Sequence, residues 1–218
     1  MWLLAPLRPH FSAALRDVHA VKPSFRVAAA TRLGEADATE RPAALTGLQT
    51  LLADDEPTVR AAAIEALGAL DATEHAGEVL RAVADADPRV RAEALAAAPR
   101  VAPARRAIDP SLDALDDAAP VVRHCAVIAL EHLAKGDPPA APKALAALLR
   151  ALDDDEAIVR GAACGALASH DAGRVRDALA GALGDRDRDV AFTAALSLAR
   201  LGDDRAIAPL RAALRRGP

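Results

Sequence analysis

One short pattern recurs along nearly the whole chain and limits what it can fold into. It is an acidic residue, two variable positions, proline, one more variable position, valine, arginine, and an alanine three places further on. The fullest copy is Asp54-Asp55-Glu56-Pro57-Thr58-Val59-Arg60, continued by Ala61 through Gly68. With the arginine as position zero, copies centre on Arg26, Arg60, Arg91, Arg123, Arg160 and, with arginine replaced, Ala191, at intervals of 34, 31, 32, 37 and 31 residues. A period of this length is the signature of a stacked repeat architecture.

The slots that agree define a helix face. Position −1 holds Phe25, Val59, Val90, Val122, Val159 and Val190, and position +3 is alanine in every copy: Ala29, Ala63, Ala94, Ala126, Ala163 and Ala194. Position +7 holds Leu33, Leu67, Ala98, Leu130, Leu167 and Leu198. Offsets of −1, +3 and +7 lie on one side of an α-helix, and the constant alanine marks a point where two helices approach too closely for a larger side chain.

The charged slots are as regular as the apolar ones. Asp54, Asp85, Asp117, Asp154 and Asp185 stand six residues before the arginine slot, and Pro23, Pro57, Pro88 and Pro120 stand three before it. A first-turn proline costs no hydrogen bond, and an aspartate near a helix start serves the free N–H groups and the dipole. An arginine one turn inside reaches an aspartate of its own or the neighbouring copy. Asp54, Arg60, Asp85, Arg91, Asp117, Arg123, Asp154 and Arg160 are therefore expected to form a structural ladder between repeats.

Ahead of each aspartate runs a second amphipathic segment, ending in Leu52, Val83, Leu115, Leu152 and Leu183 two residues before it. Each period thus holds two helices joined by an acidic turn, with no strand-like alternation. Such a pair cannot bury both apolar faces alone, so neighbouring pairs must stack into a solenoid.

The Pro-x-Val-Arg-x-x-Ala slots after an acidic turn, and the stretch Leu201-Gly202-Asp203-Asp204-Arg205-Ala206-Ile207-Ala208-Pro209-Leu210, resemble HEAT repeats of the short bacterial kind named for phycobilisome lyases. The resemblance runs over residues ~20 to 214 and implies an all-α superhelix of about six helix pairs plus terminal caps. The expected layout is a single solenoid over 1–218: an N-terminal cap helix over 1–22, repeats over 23–200, and a C-terminal half-repeat cap over 203–216. Pro99, Pro103 and Pro110 interrupt the rhythm, and Gly136 to Pro142 read as a rigid inserted loop.

Composition narrows the chemistry. Aromatic residues are 2% of the chain, with three Phe, one Trp and no Tyr, while hydrophobic residues reach 52%. The core must be built from alanine and leucine. A net charge of −4 gives no general pull toward nucleic acid or anionic lipid, and a base-holding site would need a basic concave face and aromatic rings, whereas the chain has no Tyr and its lone Trp2 lies outside the repeats. No apolar run reaches the ~20 residues of a membrane span. The apolar start around Trp2 has no positive n-region, so it does not read as a signal peptide. Cys125 and Cys164 read as buried thiols, and the expected location is cytoplasmic.

Catalytic motifs are not expected. There is no glycine-rich phosphate loop, no Gly-x-Ser-x-Gly, and no Cys–His spacing that marks a nucleophile. Deoxyhypusine hydroxylases are HEAT-like iron enzymes that use paired His-Glu steps. Here Glu74-His75 and Glu131-His132 reverse that order and occur only twice. Neither a metal nor a cofactor is expected, and the acidic run Asp153 to Glu156 fills the turn slot already described.

Function should lie where the copies differ. Positions −2, +1 and +5 of the second helices point away from the packed face, and in HEAT solenoids those helices line the concave surface. In the later copies these slots become apolar or small: Val121, His124 and Ile128, then Ile158, Gly161 and Gly165, then Phe192 and Leu196. Aligned apolar groups form a binding patch. The two glycines have either of two readings, tight packing against a neighbouring helix or a shallow floor open to a partner. The reading is a non-catalytic interaction scaffold or adaptor that binds a partner helix or peptide on its concave face, without nucleic acid or membrane. The alternative implied by the resemblance is an auxiliary enzyme or subunit of the bilin-lyase or metal-dependent HEAT type.

Overall fold

The computed structural model describes residues 9–136, 139–170 and 173–216. The segment around Trp2, the centre of the Gly136–Pro142 stretch, and Gly217 and Pro218 lie outside the described residues in whole or part. Among the described residues every regular element is helical, and thirteen α-helices follow one another in chain order. Six antiparallel-type pairs are α1 (Pro9–Asp17) with α2 (Pro23–Leu33), α3 (Arg41–Leu51) with α4 (Pro57–Ala69), α5 (Ala76–Ala82) with α6 (Pro88–Val101), α7 (Ala104–Asp113) with α8 (Pro120–Gly136), α9 (Ala141–Arg150) with α10 (Ala157–Leu167), and α11 (Gly173–Ala182) with α12 (Arg188–Arg200). A last helix, α13 (Ile207–Arg216), follows alone.

The chain divides into two compact units, Met1–Pro103 and Ala104–Pro218. In the first unit α2 packs on α4 and α4 on α6; in the second, α8 packs on α10 and α10 on α12. The first helices of consecutive pairs meet only lightly. Successive pairs in each unit thus meet mainly through their second helices, and the side these helices form is termed the inner side.

The core follows the sequence register. Val59, Val90, Val122 and Val159 are fully buried, as are Ala63, Ala94, Ala126, Ala163 and Ala194. Alanine at the crossing lets backbones approach to the short end of the interhelix range, so the low aromatic content is compatible with a close-packed interior. Phe25 departs from its slot and is half exposed, whereas Phe11 on α1 is buried.

Helix boundaries obey local chemistry with two exceptions to expectation. Proline opens α2, α4, α6 and α8, where its missing N–H has no partner to lose. Pro99 does not end its helix: α6 runs on to Val101, and Pro110 likewise lies within α7. The longest interval between copies is only partly loop, because α8 itself extends to Gly136. After α4 the Ala72 N–H reaches back to the Leu67 carbonyl and the Asp71 N–H to Gly68, with Asp71 at φ 47°. This is a Schellman stop. The same stop closes α12, where Gly202 takes φ 68° and the Asp203 N–H meets the Leu198 carbonyl.

Candidate functional site

The recurrent charges meet between consecutive pairs. Arg60 donates through Nε and Nη2 to the two carboxylate oxygens of Asp85 at 2.9 and 2.8 Å, while its Nη1 donates to the backbone carbonyls of Asp54 and Asp55. The same fork joins Arg26 to Asp54, Arg123 to Asp154 and Arg160 to Asp185. Each arginine therefore ties the turn ahead of its own helix to the aspartate of the following pair. The sequence left open whether that aspartate belonged to the same copy or a neighbouring one. Arg91 holds the Asp85 and Ala86 carbonyls in the same way, and the Asp117 carbonyl receives Arg123.

The aspartates do not cap their helices directly. Asp54, Asp85, Asp117 and Asp154 accept the backbone N–H two residues on, from Glu56, Asp87, Ala119 and Glu156, so each shapes its turn rather than the first helical turn. The arginine hydrogen bonds hold the Asp54, Asp85, Asp154 and Asp185 carboxyls below the usual range, against the opposing effect of burial. With every charge on the fork neutralised by its partner, these groups have no free valence for proton transfer.

The inner side of the second unit is different. Val121 and Ile128 on α8, Ile158 on α10, and Phe192 and Leu196 on α12 are between 39% and 57% exposed. Soluble domains usually cover side chains of this size, and five on three adjacent helices form an apolar surface. His124 is half buried, with Nδ1 3.3 Å from the Ile158 carbonyl, which ties α8 to the start of α10.

The glycines at the centre of that surface now separate from those elsewhere. A methyl group built on Gly68 would sit 2.8 Å from the mobile tip of Arg100 and 3.0 Å from Cβ of Ala97, so close approach of α6 accounts for Gly68. On Gly165 it would meet nothing within 4 Å, and on Gly161 only Val190 at 3.9 Å. Tight packing does not account for Gly165. A depression of about 420 Å³ opens there, lined by Gly165, Thr193, Leu196, Ser197, Ala199 and Arg200. Arg200 lies outside the −2, +1 and +5 slots. It falls nine positions after the repeat centre, and a slot list extended by one helical turn would have found it.

Several other reactive groups are committed, while His75 Nδ1 and His170 Nε2 are buried without a hydrogen-bond partner among the described residues. Burial pushes the Cys164 thiol up to about 12, which denies it nucleophilic character at neutral pH. Glu74 receives Arg41, and Glu131 receives Lys135 and Ser169. Among the described residues, no three His, Cys, Asp or Glu side chains gather in a way that could hold a metal ion. No described helix is long and apolar enough to cross a membrane.

Comparison with known proteins agrees with the helix pairing. A family model described as HEAT repeats matches residues 9–98, 78–168 and 145–218. Among curated proteins, none matches the chain significantly. Among solved structures, YibA of Escherichia coli is 18% identical, with 93% of this chain and 74% of that one aligned at a TM-score of 0.70. A designed armadillo repeat protein in complex with the peptide (KR)4 is 20% identical over 86% of this chain and 98% of that one, at a TM-score of 0.61. Computationally designed armadillo repeat proteins for modular peptide recognition are similar at 20% identity, with 86% and 98% covered and a TM-score of 0.56. Identities this low carry the fold alone. With the family model spanning its three overlapping matches from residue 9 to residue 218, the chain belongs to the HEAT repeat family.

Proposed function

We propose that this protein is a non-catalytic interaction scaffold that holds an apolar helix or peptide of another protein against the inner side of α8, α10 and α12. The observation that carries this reading is the row of exposed Val121, Ile128, Ile158, Phe192 and Leu196 around a glycine whose Cβ space is empty. Leaving such side chains in water forgoes roughly 1 kcal/mol or more each, since full burial of a large aliphatic group contributes ~1.5–3 kcal/mol. A partner that covers them recovers it. Designed armadillo repeat proteins for modular peptide recognition use the same class of fold for that purpose, and with neither Cys125 nor Cys164 in a disulfide the proposed setting is cytoplasmic.

The test is substitution on the surface without disturbance of the core. Ile128→Asp and Leu196→Asp together should leave helicity and melting temperature close to those of the native chain, while abolishing capture of peptides that the native chain binds. Cooperative unfolding of the double variant would instead make these residues part of the core and remove the reading. A metal or chromophore retained on purification, read by elemental analysis and absorbance, would move the assignment toward the lyase or metal-dependent members of this repeat class.

A further inference from the structure

Val121, Ile128, Ile158, Phe192 and Leu196 make much of the inner side of the second unit apolar, and one wall of the depression beside Gly165 is charged. Arg200 stands there, exposed, in the last turn of α12. The repeat arginines Arg26, Arg60, Arg123 and Arg160 are each engaged by an aspartate of the next pair; Arg200 has no ion-pair partner among the described residues. The other charge on the inner side of α12 is Asp189, eleven positions back along the same helix. At 1.5 Å per residue that is ~16 Å away, beyond the Debye length of ~8 Å at physiological salt. Asp189 therefore does not neutralise it.

Two features thus share one depression of about 420 Å³: an apolar floor and wall at Gly165 and Leu196, and an unpaired guanidinium at Arg200. Thr193 offers no competing donor to a carboxylate, because its hydroxyl donates to the Asp189 carbonyl at 2.7 Å. A guanidinium presents a planar fork suited to a carboxylate, and the floor without a Cβ admits a side chain of leucine or phenylalanine size.

We infer that this depression is the specificity pocket of the scaffold, and that it takes a peptide segment in which a bulky apolar side chain is followed or preceded within a turn by a carboxylate that pairs with Arg200. The inference rests on the proposed peptide-binding role and adds the sequence class of the peptide. A simpler role for Arg200, a cation at the negative end of α12, contributes only to the helix itself. Lysine would fill that role equally well, whereas bidentate pairing with a carboxylate needs arginine.

The experiment is selection of a phage-displayed library of random short peptides on the immobilised full-length protein. The consensus is then synthesised and its binding measured by fluorescence anisotropy to the native chain and to Gly165→Leu, Arg200→Lys, Arg200→Glu and the Ile128→Asp/Leu196→Asp pair. The expected consensus pairs a large apolar residue with Asp or Glu. Its affinity should fall about tenfold or more on Arg200→Glu and on Gly165→Leu, fall measurably on Arg200→Lys, and return on Arg200→Glu when the peptide's acid is changed to lysine. A consensus without an acidic residue, or one indifferent to Arg200, that is still lost with Ile128→Asp/Leu196→Asp would overturn the pocket and leave the scaffold reading standing. A consensus indifferent to all of these variants, or no enrichment at all, would overturn both. If the native chain sediments as a dimer that Gly165→Leu converts to monomer, the occupant is a second copy and the peptide assignment is wrong. Circular dichroism of each variant separates loss of binding from loss of fold.

Discussion

Gly68 and Gly165 show how far a single residue can be read before its neighbours are known. Both are helical glycines in second helices, and by propensity both cost ~1 kcal/mol against alanine. In the sequence they differ only in slot, +8 for Gly68 and +5 for Gly165, and the slot alone does not say which is crowded. What separates them is the next helix: Ala97 and Arg100 of α6 crowd Gly68, while nothing crowds Gly165. Gly68→Ala should therefore destabilise the protein by about 1–2 kcal/mol through overpacking, and Gly165→Ala should stabilise it by up to about 1 kcal/mol. Chemical denaturation of the two variants side by side checks both signs. The isolation of Arg200 belongs to the same group of facts that only three dimensions supply, since an unpaired charge is defined by what does not approach it. The buried valines and the crossing alanines were legible beforehand because six copies vote on each slot, and a position that stays small through all of them has one physical explanation.

At the scale of the element, the acidic turn between two helices is the joint of the architecture. Spacing revealed the partners, aspartate and arginine six residues apart, but not the direction of the link. The arginine side chain extends to the following pair and leaves its own turn to be held through carbonyls, an outcome set by helix orientation. Arg160 is the most enclosed example, with its side chain and that of Asp185 6% and 10% exposed. Arg160→Ala would leave the largely enclosed Asp185 without its counter-ion and two turn carbonyls without a donor, at a cost of about 3 kcal/mol. Acid should act on the same joints. The Asp54, Asp85, Asp154 and Asp185 carboxyls titrate below their unfolded values near ~3.9, so below that pH the unfolded chain binds protons that the folded chain refuses. Their contribution is present in full above about pH 5 and is lost as pH falls through the folded values. Urea midpoints measured between neutral pH and pH 3 should drop, and Arg160→Ala should flatten part of that drop. A native chain whose midpoint does not move with acid would show that the ladder carries little stability. The proline positions were less legible at this scale. Pro99 and Pro110 stand inside α6 and α7, where periodicity alone reads a break; each forgoes its own N–H bond to the carbonyl four residues back, and only a few helical residues follow it.

For the molecule as a whole, repetition and departure from repetition divide the work. Slots that stay constant from pair to pair build each unit, and those that drift, −2, +1 and +5 in α8, α10 and α12, hold the exposed Val121, Ile128, Ile158, Phe192 and Leu196. Fold class and helix pairing were readable from period and composition, because stacking is the one way such pairs bury their apolar faces. The identity of a partner is not a property of the period, and it enters only through side chains that the stacking leaves uncovered. The central claim is that function resides on that surface and not in the charged joints. Hydrogen exchange of the full chain with and without the selected peptide tests it most directly. Slowed exchange confined to 121–136, 158–167 and 189–200 is the predicted result; slowing centred on the acidic turns around Asp54, Asp85 or Asp154, with those three helices unchanged, would contradict it.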